Sequence, residues 1–234
     1  MDRKRVIWSV FYRDDSFRAL GNNWSVESVQ STQEFNPIKG DIVVILGGGD
    51  ISPQLYGHGY MDRTGKSSPR MNHGHYPPRD ELEMEVCLEA IDRGIPIIGC
   101  CRGAQMLCIA AGGTLVQDTT NHLGSHPLVI DPEDRHLFPG DEEPYANSIH
   151  HQMMRYSGVP HKLIAWTPHR SGHYHAEGGF DVAKEFPLGE PEIVWYPVIK
   201  GLGFQYHPEN NINAPYGKFA VNLVRKYLLQ ENQL

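Results

Sequence analysis

The chain has 234 residues, 40% hydrophobic and 21% charged, enough apolar material for the core of one large α/β domain. Its net charge of −7 gives no field that would draw nucleic acid or an anionic membrane, and no apolar run approaches membrane-spanning length. Val6 to Phe11 is far too short for a secretory apolar region, and four cysteines without framework spacing suit a reducing compartment, so a cytoplasmic protein is expected.

In chain order, Lys4 to Tyr12 reads as a first strand, led by a solvated Arg3-Lys4-Arg5. Asp14 to Asn23 is turn or short helix, and Ser25 to Gln30 a second, half-exposed strand. Gly40-Asp41 turns into the buried strand Ile42 to Leu46, which runs into Gly47-Gly48-Gly49-Asp50. Ser52 to Pro78 is rich in Gly, Pro, Tyr and His without periodicity and reads as a long loop, a kind that is usually functional. Asp80 is expected to cap a helix with apolar positions Leu82, Val86 and Ala90, closed by Gly94. Ile95-Pro96-Ile97-Ile98 is a short, β-branched, buried strand. Ala104 to Ala111 is an apolar helix stopped by Gly112-Gly113. This strand-helix-strand rhythm favours a parallel sheet. Asp118 to Asp141 reads as loop with a short strand at Pro127 to Ile130. Leu163 to Trp166 and Ile193 to Tyr196 read as strands, and Tyr216 to Leu229 as a closing amphipathic helix. No repeat, heptad or low-complexity linker divides the chain, so 1–234 is expected to form a single domain.

The chemistry concentrates at Gly99-Cys100-Cys101-Arg102-Gly103, between the buried strand and the apolar helix. A residue held there with glycine two positions away on each side has the form of a nucleophile elbow. Centred on Cys101, the flanking places hold Gly99 and Gly103. Centred on Cys100, they hold Ile98 and Arg102, which a tight turn disfavours. Cys101 is thus the expected nucleophile, at a helix N-terminus that favours a thiolate, and Cys100 the last inward residue of the strand. The competing reading is a buried structural pair, the role also expected of Cys87 and Cys108.

A thiolate needs a base, and the base an orienter. In Gly203-Phe204-Gln205-Tyr206-His207-Pro208-Glu209, Pro208 pushes His207 toward an extended conformation. Side chains two apart then point the same way, so Glu209 can hold one imidazole nitrogen while the other faces the thiol. A lone His-x-Glu is more often a surface pair, and the cysteine elbow upstream gives it weight. The glycines after Leu46 let backbone N–H groups approach a ligand. One oxyanion donor is assigned to Gly48 or Gly49 and one to the N–H of Arg102. A dinucleotide loop is the alternative, but G-x-G-x-x-G is absent because Ile51 and Ser52 follow Asp50.

Taken together these elements resemble the class I glutamine amidotransferase superfamily, and within it the gamma-glutamyl-gamma-aminobutyrate hydrolase type of gamma-glutamyl peptidase. The matching stretches are Gly47 to Pro53 with Tyr56-Gly57, Arg79-Asp80, Pro96 to Gln105, Gly112 to Asp118, Asn147 to Gln152 and Gly203 to Glu209, in the family's order. The resemblance implies a flavodoxin-like three-layer sandwich with a mostly parallel central sheet. It also implies a substrate that is glutamine or a gamma-glutamyl amine conjugate, and a gamma-glutamyl thioester on Cys101. Gln105 matches a glutamine that helps hold the substrate, and Ser148, His150 and His151 match a segment lining the glutamyl pocket. Two stretches depart from the family pattern. The N-terminus leaves little room for a full strand-helix-strand unit before Asp41, and His169 to Glu192 is longer and more polar.

Three readings stay open: a stand-alone gamma-glutamyl hydrolase, a glutaminase passing ammonia to a separate synthetase, and an inactive binding relative marked by a broken triad. Asn147 to His151 favours the first, and the presence of Cys101, His207 and Glu209 weighs against the third. No cofactor is called for. Thirteen histidines invite a metal reading. His169, His173 and His175 with Glu177, or His73 and His75, have suitable spacing, but nothing rigid holds them. Solvated or substrate-contacting loop histidines, with no metal, are the expectation. The oligomeric state is left open.

Overall fold

Strand Ile42–Ile45 is buried along its whole length, as a continuous β-branched run is when both faces of a parallel sheet are covered. The computed structural model describes residues 3–57, 78–176 and 178–230. In chain order its elements are β1 (Arg5–Val10), β2 (Trp24–Val29), β3 (Ile42–Ile45), α1 (Pro78–Asp92), β4 (Ile97–Cys100), α2 (Arg102–Ala110), β5 (Thr114–Val116), β6 (Asp118–Thr119), β7 (Leu123–Pro127), β8 (Val129–Ile130), β9 (Tyr145–Ile149), β10 (Met153–Arg155), β11 (Lys162–Thr167), β12 (Tyr174–His175), α3 (Val182–Glu185), β13 (Glu190–Tyr196), β14 (Gly201–Phe204) and α4 (Pro215–Val224).

The central sheet runs β2-β1-β3-β4-β14-β13-β11-β8. The neighbours from β2 through β14 pair in parallel; β13, β11 and β8 each pair antiparallel. Alternation of side chains across the sheet splits the core in two. Trp8, Val43, Ile45 and Ile97 pack with Leu82, Val86 and Ala90 of α1 and Leu107 of α2. Ile7, Ile42, Val44, Ile98 and Phe204 pack with Phe219, Ala220 and Leu223 of α4. Helices thus cover both faces of a mostly parallel sheet, the flavodoxin-like α/β architecture. Among the described residues no helix is long and apolar enough to cross a membrane.

The short N-terminal stretch is accommodated by a reduced unit. A single 3-10 turn, Ser16–Leu20, replaces the crossover helix and buries Phe17 and Leu20, and β2 forms the half-exposed edge. The helix expected to be capped by Asp80 instead starts at Pro78, a residue with no N–H to leave unpaired. Asp80 lies in its first turn, buried, accepting from the Ser52 N–H at 2.9 Å. The stretch 118–141 carries more strand than expected. β7 pairs with β9, and β12 with β6, outside the central sheet. Leu123-Gly-Ser-His-Pro has no local strand pattern, and it is made a strand by its pairing with Tyr145–Ile149. The closing helix changes character: α4 ends at Val224 and continues as a π-helical turn, Arg225–Leu229. Of the long loop, Pro53–Tyr56 forms a 3-10 turn; residues 58–77, with His73 and His75, lie outside the described residues, as does Glu177.

Candidate active site

The junction of β4 and α2 carries local strain. Cys101 has φ 51° and ψ −107°, a backbone region that residues with a side chain rarely occupy. Its N–H is tied to the Phe204 carbonyl at 2.6 Å. A β-carbon on Gly99 would run into the backbone of Gly103, and one on Gly103 into the Ile45 carbonyl. Both glycines are therefore dictated by how closely α2 presses on β3 and β4. Cys101 is 5% exposed, with Sγ 3.9 Å from the Ile149 carbonyl. Cys100 is wholly buried in the opposite core layer. Burial, reinforced by Glu209, pushes its thiol well above the ordinary range.

His207 follows β14, and its Nδ1 lies 2.8 Å from Glu209 Oε1. The pairing arises differently from the expected extended alternation. His207 caps a 3-10 turn, Pro208–Asn211, and the turn swings Glu209 back onto the ring. Burial opposes charge on this imidazole, but hydrogen bonding to Cys101 and Glu209 outweighs it, and the pKa is raised to about 10. The ring is therefore protonated at neutral pH, beside the thiol.

The glycine loop packs against these groups at Gly47. A β-carbon on Gly47 would stand 2.5 Å from His207 Cε1 and 3.5 Å from Cys101 Cβ. Gly48 is pressed against the Arg79 guanidinium, and Gly49 faces open space. Arg79 holds the loop in place: it donates to the Leu46 and Gly47 carbonyls at 3.0 and 2.9 Å and to Glu83 at 2.6 Å. The side chain of Arg102 is committed elsewhere. It pairs with buried Asp80 and Glu83, and burial with neighbouring Arg79 lowers its pKa to about 10. Its backbone alone is left to serve the elbow.

The remaining expected residues separate. Gln105 donates to the Gln152 carbonyl at 2.9 Å. On β9, Ser148 points inward and is fully buried, while Ile149 is exposed. His150 is buried beside His122. His151 instead sits at the surface edge, its Nε2 2.9 Å from Asp50 and its Nδ1 3.2 Å from Asp118. The hydrogen bond to Asp50 raises its pKa against the opposing effect of burial. His173 reaches the other oxygen of Asp118 at 2.6 Å, so a histidine–carboxylate string ties the glycine loop to the polar 169–192 stretch. His169 stays exposed, and no metal-like grouping of His169, His173 and His175 forms among the described residues. Gly47, Arg79, Asp50 and Asp118 carry no role in the sequence reading. The signals available were their place in the stretches that resemble the family and the i,i+4 spacing of Arg79 and Glu83 on a helix start.

Known proteins resemble this chain in sequence and fold. The peptidase C26 family matches residues 38–172. The glutamine amidotransferase-like protein YvdE homolog of Lactococcus lactis subsp. cremoris is 31% identical over 158 residues, 60% of this chain and 79% of that protein. The glutamine-hydrolysing GMP synthase of Methanoregula boonei has one subunit that is 27% identical over 124 residues, 53% of this chain and 57% of that one. The crystal structure of a glutamine amidotransferase from Thermotoga maritima shares the fold, with a TM-score of 0.55 at 16% identity over 98% of this chain and 86% of that one. The match over more than half of its length means that the chain belongs to the peptidase C26 family, within the class I glutamine amidotransferase superfamily, a membership that supports a cysteine-type amide hydrolase or amidotransferase role.

Proposed function

We propose that this chain, acting as a single domain, hydrolyses a gamma-glutamyl amide bond through a thioester on Cys101. The observation that carries the reading is the strained Cys101 beside an imidazole that Glu209 grips from the other side. Cys101 Sγ attacks the δ-carbonyl of the gamma-glutamyl group. Negative charge gathers on the carbonyl oxygen, where the Arg102 N–H and N–H groups of the 47–49 loop are the donors. His207 gives its proton to the departing nitrogen as the C–N bond breaks, and Glu209 keeps the ring oriented. A water molecule then attacks the thioester and yields its proton to the now neutral His207. The C–S bond breaks and glutamate leaves. Gln105, Ser148, His150 and His151 belong to the wall of the glutamyl site in this reading; of these, Gln105, Ser148 and His150 act from beneath it, being buried.

The test is glutamate release by the purified chain from glutamine and a panel of gamma-glutamyl amines. Turnover by wild type and Cys100→Ala, abolished in Cys101→Ala, is the expected result. Turnover retained by Cys101→Ala overturns it. A second reading, a glutaminase that works with a synthetase, is favoured by the likeness to part of a GMP synthase. In that case glutamine is the substrate, and release stays near background until the synthetase partner is added.

A further inference from the structure

Beneath the β7–β9 ribbon lies a group of titratable side chains of which the proposed function uses His150 alone, and that only as part of the wall of the glutamyl site. His122, His126, His150, Glu190 and Glu192 are each more than nine-tenths buried. The ribbon brings the histidines together: the His150 N–H donates to the His122 carbonyl at 3.2 Å, and the two rings lie 4.4 Å apart. β13 supplies the carboxylates from below. One nitrogen of His122, one nitrogen of His150 and one oxygen of Glu192 all lie within 4.8 Å of one another. Among the described residues, no hydrogen bond of good geometry satisfies either nitrogen of His150 or either oxygen of Glu192. Buried polar groups left so are uncommon and point to something bound between them.

The chemistry of the donors says what. Glu190 is anchored by the backbone N–H groups of Arg170 and Ser171, both at 3.1 Å, and by the Tyr174 hydroxyl. Its other oxygen is 2.9 Å from His122 Nε2. His122 Nδ1 faces Glu192 Oε1 at 3.9 Å. Both nitrogens of the buried His150 ring are left without a hydrogen-bond partner among the described residues. His126 Nε2 approaches Glu192 Oε1 from the far side, at 3.1 Å. Two imidazole nitrogens and a carboxylate oxygen, without thiolate, form a set suited to zinc and its neighbours, and tetrahedral ligation would draw the donors to about 3.3 Å apart.

We propose that His122, His150 and Glu192 bind a divalent transition-metal ion of the zinc class, with Glu190 orienting His122 and a fourth position left to water. Its role is structural. It pins the segment after β9, whose Ile149 carbonyl borders Cys101 Sγ, onto β13. The site stands independently of the proposed hydrolysis.

The experiment uses the full chain carrying Cys101→Ala, so that the partly accessible thiol contributes no ligand. Chelator-treated protein is titrated with Zn²⁺ by calorimetry and with Co²⁺ by visible absorption, and the zinc form is examined by X-ray absorption. Expected are one ion per chain, a shell of nitrogen and oxygen with imidazole scattering, and affinity lowered at least tenfold by His122→Ala, by Glu192→Gln and, through its hold on His122, by Glu190→Gln. Sulfur in the shell, no binding at micromolar metal, or binding undiminished by His122→Ala and Glu192→Gln overturns the proposal. Should a variant fail to fold, judged by circular dichroism, the absorption spectrum of the parent chain decides alone.

Discussion

Gly47 and His207 occupy neighbouring volumes with no room for one more carbon: a β-carbon on Gly47 would stand 2.5 Å from His207 Cε1. The glycine loop and the imidazole come from β3 and β14, which are not adjacent in the sheet. Gly47→Ala therefore moves His207 away from Cys101. A displacement of about 1 Å at a reacting group lowers kcat/KM about a hundredfold. Gly49, with open space before it, is the control, and Gly49→Ala retains activity within a fewfold. Equal losses in both variants would show that the whole loop, not the His207 contact, is what matters.

The four cysteines differ sharply in environment. Burial pushes the thiols of Cys87 and Cys108 up to about 12, and that of Cys100 well above its ordinary value. Thiolate is the reactive form. Brief iodoacetamide treatment of native protein at neutral pH is expected to label Cys101 alone, as read by peptide mass spectrometry. Labelling of Cys100 at a comparable rate would reverse the choice of elbow residue. Cys100→Ala lowers stability by about 1 kcal/mol, the usual effect of emptying a small buried volume.

His207 also makes stability depend on pH. Its folded pKa, about 10, lies above the ordinary 6.5. The folded state thus binds a proton that the unfolded chain releases earlier. The resulting stabilisation is fully present below about 6.5 and is lost as pH rises toward 10. Denaturant midpoints for wild type are expected to fall across that window, and those for His207→Gln to fall less. Glu209→Gln removes one of the groups holding the proton, so the alkaline limb of its pH–rate profile moves to lower pH. An unmoved limb assigns that limb to another group.

Arg102 illustrates a structural charge beside a candidate catalytic cysteine. Its guanidinium is buried against Asp80 and Glu83. Arg102→Met leaves two carboxylates buried with one cation fewer, and removing one partner of a buried ion pair destabilises by about 3–5 kcal/mol. The exposed pair Arg13–Asp15 is the contrast, and Arg13→Ala leaves the urea midpoint nearly unchanged. A similar shift in both would mean that Asp80 and Glu83 are satisfied without Arg102.

Much of the framework was legible because it depends on short-range physics. Ile42 to Leu46 and Ile95 to Ile98 are apolar and rich in β-branched residues, and they overlap the inner strands β3 and β4, the latter beginning at Ile97 and running on to Cys100. The glycines two positions either side of Cys101 mark a turn that tolerates no side chains, and the contacts of Gly99 and Gly103 show why. The proximity of His207 and Glu209 was legible too, although a 3-10 turn, and not an extended segment, produces it.

Less legible were features that depend on partners far along the chain. β7 has no strand pattern of its own and exists by pairing with β9. Asp80 reads as a helix cap, but Ser52 and Arg102 claim its carboxylate. Gly48 and Gly49 are indistinguishable from Gly47 in a run of three, and only the position of β14 beside β4 makes Gly47 the one that meets His207. The loop histidines that spacing singled out do not gather among the described residues, whereas His122, His150 and Glu192, up to 70 positions apart, do. The amino-acid sequence by itself determined which segments are buried strands, which turn is strained and which cysteine occupies it, since burial periodicity and backbone strain act over a few residues. The tertiary structure alone decided which distant side chains share a volume, because that follows from strand order, and strand order is set by the packing of the whole sheet.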